Sequence, residues 1–317
     1  MQAYYKGESV QIGGGGWSAW NVTDDTAPTD MTTLRGYTSE QFVTNVYDPL
    51  MEAWPTYITK AIIGKDATDT YNIYQYTFCP DYPEQTIYLQ AGVHGNEPDG
   101  YIGLANLMRL ICNHWAEHKW LAYLRWRCRI VVVPIVNVWS VSQSERVRPN
   151  ANGVNLNRDL DSSTPQAETL AIKTAFASLM ASHDLSFCMD CHSTTDSNWG
   201  GDAAIGDSAT AVNAPITALV AKSMAKKYCH QRLSSYMTAH DLEADELYLP
   251  FWFDTGNSGT FSGYFRSFGL VGLTWEFSDL VYTLDRGTNT TGRIALDQLT
   301  NHMIALAEQK YVVGEDT

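Results

Sequence analysis

Residues 86–118 read TIYLQAGVHGNEPDGYIGLANLMRLICNHWAEH, and the way they divide decides the fold. Thr86–Val93 is a largely apolar run of strand length, of the kind that is buried on both faces of a sheet. His94–Gly100 (HGNEPDG) is polar and dense in turn residues. From Tyr101 onward apolar residues recur at helical spacing, which predicts an amphipathic helix. Strands and helices go on alternating downstream. WRCRIVVVPIVN (126–137) reads as a second buried strand and ETLAIKTAFASLMASH (168–183) as a helix. LSFCMDCHS (185–193) is a third strand, APITALVAKSMAKKYCHQRL (214–233) a third helix, LVGLTWEFS (270–278) a late strand, and RIALDQLTNHMIALAEQKYVV (293–313) a closing helix. Strands alternating with helices of this length predict a single α/β domain with a mixed, mostly parallel central sheet covered by helices on both faces. In such sheets ligands bind at the carboxyl ends of the strands.

Upstream the pattern is looser. Gly13–Gly16 and NVTDDTAPTDMTT (21–33) carry turn and capping residues without periodicity, so residues 1–50 read as an N-terminal extension docking on a main domain of residues 51–317. Within this region SEQFVTNVYDPLMEAW (39–54) has helical spacing after a Ser cap. TYITKAIIGKDATDTYNIYQYTFC (56–79) alternates like two strands joined by a Gly-Lys-Asp turn.

Composition narrows the function classes. The 317 residues include 21 Lys and Arg against 35 Asp and Glu, a net charge of −14 with no basic run, which argues against nucleic acid as a partner. The longest apolar stretch, Ile130–Val136, is strand-length and β-branched, far short of a membrane span. The N-terminus MQAYYKGESVQIGGGGW has no basic start followed by an apolar core, so no signal peptide is expected. Location in the cytoplasm, or in a virion released by lysis, is the expectation. Six scattered cysteines in a chain of this size predict free thiols rather than a disulfide scaffold. Nothing in the pattern sets the oligomeric state.

Four polar groups fall at or near the ends of the apolar strands. His94 and Glu97, three apart on a Gly-containing turn, can aim an imidazole nitrogen and a carboxylate at one point, two-thirds of a His₂Glu zinc site. His192 ends the third strand. Glu276, in GLTWEFSD, is an acid near the end of an apolar strand, where burial demands a partner or a task. The loop RPNANGVNLNRDL (148–160) offers two arginines suited to carboxylate recognition. The third strand also spells C-x-x-C-H over Cys188–His192, the attachment signature of a c-type haem. That reading fails because the motif closes a strand in a chain without an export signal. Thiol redox chemistry fails as well, since alternation sends Cys188 and Cys191 to opposite faces. The same alternation puts Asp190 on the face of His192.

Taken in order, H-x-x-E, R-x-N-A-N-G-V-x-L-N-R, D-x-H-S and T-x-E-F resemble the zinc carboxypeptidase (M14-type metallocarboxypeptidase) family over about residues 53–312, most closely carboxypeptidase-like proteins of Gram-positive bacteria and their phages. The resemblance implies one Zn²⁺ held by His94, Glu97 and His192. It implies Glu276 as general base, Arg148 as stabiliser of the carbonyl oxyanion, and Asn157 and Arg158 as the clamp on the substrate's terminal carboxylate. The chain departs from the family where an Asp usually orients a ligand imidazole; here that residue is Asn155. A lid tyrosine is absent in register, the position falling on Asp254 with Tyr248 and Tyr264 nearby. The GNSGTFSGYFR stretch, with Ser258, Thr260, Phe261, Ser262 and Arg266, is the expected specificity pocket.

The expected activity is therefore a zinc metallopeptidase that hydrolyses a C-terminal peptide bond, cell-wall peptides included. Deacylases of N-acyl amino acids, similar to aspartoacylase and succinylglutamate desuccinylase, share HGNE, an Asn-Arg pair and D-x-H, and DCHSTTDSNWG leans toward them. A catalytically silent binding module with the same fold is the third reading. Peptides or acyl amino acids are the expected substrates, with neither nucleic acid nor membrane as a partner.

Overall fold

The computed structural model describes residues 31–117, 119–194, 204–207, 252–253, 259–270 and 272–278. The helices expected over 214–233 and 293–313 lie outside the described residues. Two short strands open the sheet, β1 (Ile58–Lys65) and β2 (Asn72–Phe78), antiparallel and paired from Ile58↔Phe78 to Lys65↔Asn72. The turn between them begins two residues later than a Gly-Lys-Asp turn would. Gly64 and Lys65 stay in β1, and Asp66 caps the turn by accepting the backbone N–H groups of Thr68, Thr70 and Tyr71. Its carboxylate satisfies three donors that the tight reversal would otherwise leave unpaired.

The centre of the sheet is built from β3 (Gln85–Ala91), β4 (Cys128–Val133), β5 (Leu185–Thr194) and, further along the chain, β6 (Ala204–Asp207), β7 (Trp252–Phe253) and β8 (Gly272–Ser278). Their order is β1-β2-β4-β3-β5-β8-β6-β7. β4, β3, β5 and β8 run parallel to one another, while β2 meets β4, and β6 meets β8, antiparallel. The sheet is thus mixed with a parallel heart, as the strand–helix alternation predicts.

Two helices matter for the site. Helix α4 (Pro98–Asn113) leaves β3, and α7 (Ala167–Ser182) precedes β5; they follow three short N-terminal helices, α1 (Met31–Gly36), α2 (Ser39–Phe42) and α3 (Asp48–Ala53). The cap of α2 is Thr38 rather than Ser39. Thr38 takes the N–H of Gln41 on its hydroxyl while the Gln41 side chain returns to the Thr38 N–H, a reciprocal capping box. Between α2 and α3 the residues Val43–Tyr47 form a π-helical segment. The stretch after α4 holds α5 (Lys119–Arg127), so Trp126 and Arg127 belong to a helix and not to the second buried strand, which starts at Cys128.

Burial is deepest along the parallel heart: Ile87, Leu89, Ile130, Val132, Phe187 and Met189 are fully buried. Each contributes roughly 1.5–3 kcal/mol relative to exposure, enough to carry a few buried polar groups on the same strands. Residues 34–42 also close on the parts that hold the site. Arg35 pairs with Asp99 at 2.6 Å, Tyr37 O accepts Arg146 Nη2 at 2.6 Å, and Ser39 meets Ser142 Oγ.

Candidate metal centre

The site is assembled where β3 and β5 end. Gly92, just past β3, has φ +64°, a left-handed conformation open to glycine, and it turns the chain so that His94–Glu97 sits over the strand ends. Gly100, in the first turn of α4, brings the helix against β5: a Cβ there would meet the carbonyl oxygen of Cys191 at 2.5 Å. The helix start carrying Glu97 as its N-cap is therefore pressed against the residue preceding His192.

His94, Glu97 and His192 are all buried, and their ligand atoms lie within 4.8 Å of one another. Nδ1 of His94 is 2.8 Å from Glu97 Oε1, Nδ1 of His192 is 2.8 Å from Glu97 Oε2, and the two Nδ1 atoms are 3.1 Å apart. Ligands of a tetrahedral zinc ion at its usual bond lengths are roughly 3.3 Å apart. Each imidazole is held through its other nitrogen. His94 Nε2 meets Asn155 Oδ1 at 3.0 Å, and His192 Nε2 meets Asp190 Oδ2 at 2.7 Å. With both Nε2 atoms engaged by oxygen acceptors, both Nδ1 lone pairs face inward. Neutral imidazole nitrogens and a carboxylate at such distances repel unless positive charge, from a proton or a metal ion, lies among them, and the two nitrogens and the carboxylate form a donor set that fits a divalent metal.

The electrostatics agree. Burial opposes charge on Glu97, but the His192 and His94 imidazoles outweigh it and hold the carboxyl well below its ordinary range. Burial lowers His94, and its bond to Glu97 does not restore it. His192 is also desolvated, yet Asp190 and Glu97 together draw it far above the ordinary imidazole value. The cluster demands positive charge.

Arg148 stands at the mouth, half-exposed, with Nη1 on Glu97 Oε1 at 2.6 Å. Asn155 Oδ1 accepts both His94 Nε2 and the N–H of Asn157, which ties the loop to the imidazole. Asn157 is buried, and its Oδ1 takes the N–H of Phe261 at 3.0 Å, so the GNSGTFSGYFR stretch touches the loop through α8 (Phe261–Arg266), which follows the one-turn helix α6 (Val138–Val141) in the chain. Arg158 is exposed, with Nη1 on the carbonyl of Asn157. Glu276 lies on β8, in register with His192 on β5. Ser258, Tyr248 and Asp254 lie outside the described residues. Tyr264 packs on Phe176, Phe265 and Phe268 rather than over the site, and Arg266 is buried and donates to Gly272 O.

The sequence alone did not single out Gln90, which reaches Asp190, or the backbone N–H of Ser193, which donates to Glu97 Oε2 at 3.3 Å. The signal for Gln90 is a lone amide in an apolar strand. The N–H of Ser193 has none.

The catalytic-domain model for succinylglutamate desuccinylase/aspartoacylase matches residues 83–302, a span that includes every site residue named above. The chain belongs to that family. Among curated proteins none matches it. Among solved structures, the metallo-carboxypeptidase of Burkholderia cenocepacia superposes with a TM-score of 0.63 at 18% identity, over 84% of this chain and 69% of its own. Carboxypeptidase A from Helicoverpa armigera gives 0.61 at 15% identity, over 86% and 74%. The metallo-carboxypeptidase of Pseudomonas aeruginosa, in complex with (2-guanidinoethylmercapto)succinic acid, gives 0.56 at 15% identity, over 85% and 70%. At these identities the likeness is one of fold. The protein is a hydrolase of the desuccinylase/aspartoacylase family with a metallocarboxypeptidase-like fold and a buried His-Glu-His cluster that could hold a metal ion. No described helix is long and apolar enough to cross a membrane.

Proposed function

We propose that the protein is a zinc-dependent hydrolase of the amide bond joining an acyl or peptidyl group to an amino acid with a free carboxylate. The observation that carries this reading is the convergence of His94, Glu97, His192 and Arg148 where β3 and β5 end, with Glu276 in register one strand away. His94, Glu97 and His192 would hold a zinc ion, which when bound would supply Lewis acidity toward a carbonyl and acidify water. Glu276 takes the proton of the attacking water and returns it to the leaving amine. Arg148, beside Glu97, presents its guanidinium to the carbonyl oxygen as charge develops there. Asn157 and Arg158 hold the substrate carboxylate. With its Oδ1 taken by Phe261, Asn157 has only its NH₂ left to face an anion. Asn155 and Asp190 orient the two ligand imidazoles, and the described part of the N-terminal extension braces this assembly through Arg35, Tyr37 and Ser39; residues 1–30 lie outside the described residues.

Two forms of this chemistry differ in the acyl side. Family membership supports a short acyl group, as in deacylation of N-acyl amino acids. The carboxypeptidase-like fold supports a peptidyl group, with removal of a C-terminal residue from peptides, cell-wall stem peptides included. A neighbour's complex with a substituted succinic acid fits a carboxylate-anchored substrate in either form. The test is release of free amino acid from three panels (N-acyl amino acids, peptides and muropeptides) by zinc-loaded wild type and Glu276→Gln. We expect turnover on one panel by wild type and its loss, with zinc retained, in Glu276→Gln. Full zinc occupancy without turnover on any panel would overturn the reading in favour of a silent binding module.

A further inference from the structure

Beneath His192 the sheet carries a buried polar chain that the roles above leave unexplained. β3 and β5 are parallel neighbours with Tyr88↔Cys188 and Gln90↔Asp190 in register. Alternation therefore places Tyr88 and Gln90 of β3 on the face that Asp190 and His192 occupy on β5. Tyr88, Gln90 and Asp190 are fully buried and His192 nearly so. An amide at such depth is costly unless both of its ends are bonded. Both are. Tyr88 Oη donates to Gln90 Oε1 at 2.9 Å, and Gln90 Nε2 donates to Asp190 Oδ1 at 3.1 Å. The remaining oxygen of Asp190, Oδ2, lies 2.7 Å from His192 Nε2.

The chain has one direction. The carbonyl oxygen of Gln90 only accepts, so the tyrosine hydroxyl gives its proton to it; the amide nitrogen only donates, so Asp190 Oδ1 is an acceptor. Reversing the amide would set Oε1 against Oδ1, two acceptors facing each other. Asp190 is thereby pinned at one oxygen and presents the other to Nε2, which leaves Nδ1 of His192 as the atom aimed at Glu97 and His94. Asp190 alone, attached through a single rotatable bond beyond its Cβ, does not define that geometry.

We infer that Gln90 and Tyr88 are positioning residues that preset His192 as a metal ligand, through Asp190, before any metal arrives. The inference rests on His94, Glu97 and His192 binding a metal ion. Loss of partners behind a ligating histidine typically weakens metal binding by roughly 10–100-fold. Gln90→Met, which keeps length and apolar fit, is expected to weaken zinc binding about tenfold. Tyr88→Phe, which keeps the ring against Phe176 and Phe265, is expected to weaken it by about two- to fivefold, since a single buried hydrogen bond is lost one step further away.

The experiment is zinc competition with a chromophoric chelator on the full chain. It is paired with ¹⁵N–¹H spectra of the imidazoles in the zinc-loaded protein. Phe176→Leu serves as the comparison, because it disturbs packing around Tyr88 without removing a group of the chain. We expect Phe176→Leu to lower thermal stability but keep zinc affinity and a sharp, slowly exchanging His192 Nε2–H signal. Gln90→Met is expected to lose affinity and to broaden that signal. Equal losses of affinity in Gln90→Met and Phe176→Leu, or unchanged affinity and spectra in Gln90→Met, would overturn the inference. Absence of zinc binding by the wild type would instead remove the metal reading on which it stands.

Discussion

Replacing Asn155 by Asp tests how the two histidines proposed as ligands are supported. The structure gives them unequal partners: His192 Nε2 faces the carboxylate of Asp190 at 2.7 Å, and His94 Nε2 faces the neutral amide oxygen of Asn155 at 3.0 Å. Asn155 Oδ1 also receives the N–H of Asn157, so an aspartate oxygen in its place keeps both donors. The amide nitrogen of Asn155 has no hydrogen-bond partner among the described residues, and the residue is only partly buried. A second oxygen there therefore strands no donor and is not stripped of water. A hydrogen bond to a charged group contributes about 1.5–3 kcal/mol, against about 1 for a neutral one. The difference, roughly 0.5–2 kcal/mol, appears as greater basicity of His94 toward a metal. Since 1.4 kcal/mol is tenfold in affinity, Asn155→Asp is expected to lower the zinc Kd by roughly two- to thirtyfold. Asn155→Ala, which removes the acceptor, is expected to raise it by roughly tenfold or more. Chelator competition on the three proteins measures both shifts. Zinc binding by Asn155→Asp that is unchanged or weaker, with the fold intact by circular dichroism, would show that this bond does not tune the ligand.

Two further outcomes follow from the same geometry. Cys188→Ser and Cys191→Ser should each retain the metal while His192→Ala loses it, as read by metal analysis after dialysis; the opposite pattern would return the C-x-x-C-H motif to a ligand role. Asp66 concerns stability: burial by itself would raise its pKa, but bonds from the Thr68 hydroxyl and the Thr68, Thr70 and Tyr71 N–H groups win and hold it below the ordinary carboxylate value. Because the folded-state pKa is depressed, its contribution is present above the unfolded value of about 3.9 and is lost as pH falls through the folded one. Asp66→Ala should cost about 1–3 kcal/mol in urea melts at neutral pH, with the gap to wild type closing in acid; a gap independent of pH would refute the assignment.

Much of the candidate site's geometry was legible because its polar residues sit near strand ends and the strands are strongly apolar. The run from Thr86 to Val93 had to end near His94, and the strand from Leu185 had to end near His192, so the two imidazoles met once β3 and β5 paired. Boundaries set by tertiary pairing were harder to read. The nine residues of α5 run without punctuation into β4, whose first residue is fixed by Cys128 pairing with Gln85 and by Glu84 N–H bonding Arg127 O. β6 and β7 are four and two residues long and exist only because a neighbouring strand offers its edge. The contact of Arg148 with Glu97 spans 51 positions and depends on how the 138–148 segment folds over the turn, which no local pattern encodes.

The fate of the two cysteines shows what strand alternation decides. Cys188 and Cys191 are both buried, on opposite faces, and burial pushes both thiols far above their ordinary pKa, so neither offers the thiolate that haem attachment, redox exchange or metal binding requires. Cys191 instead gives its backbone to the contact that seats α4: its carbonyl lies where a Cβ on Gly100 would fall. That contact holds the start of α4 against β5, and with it Glu97 against His192. The spacing that mimics a haem box thus reflects a different constraint. One face of the strand must carry Asp190 and His192 two residues apart, and the other must stay small and apolar under a helix, which a cysteine satisfies.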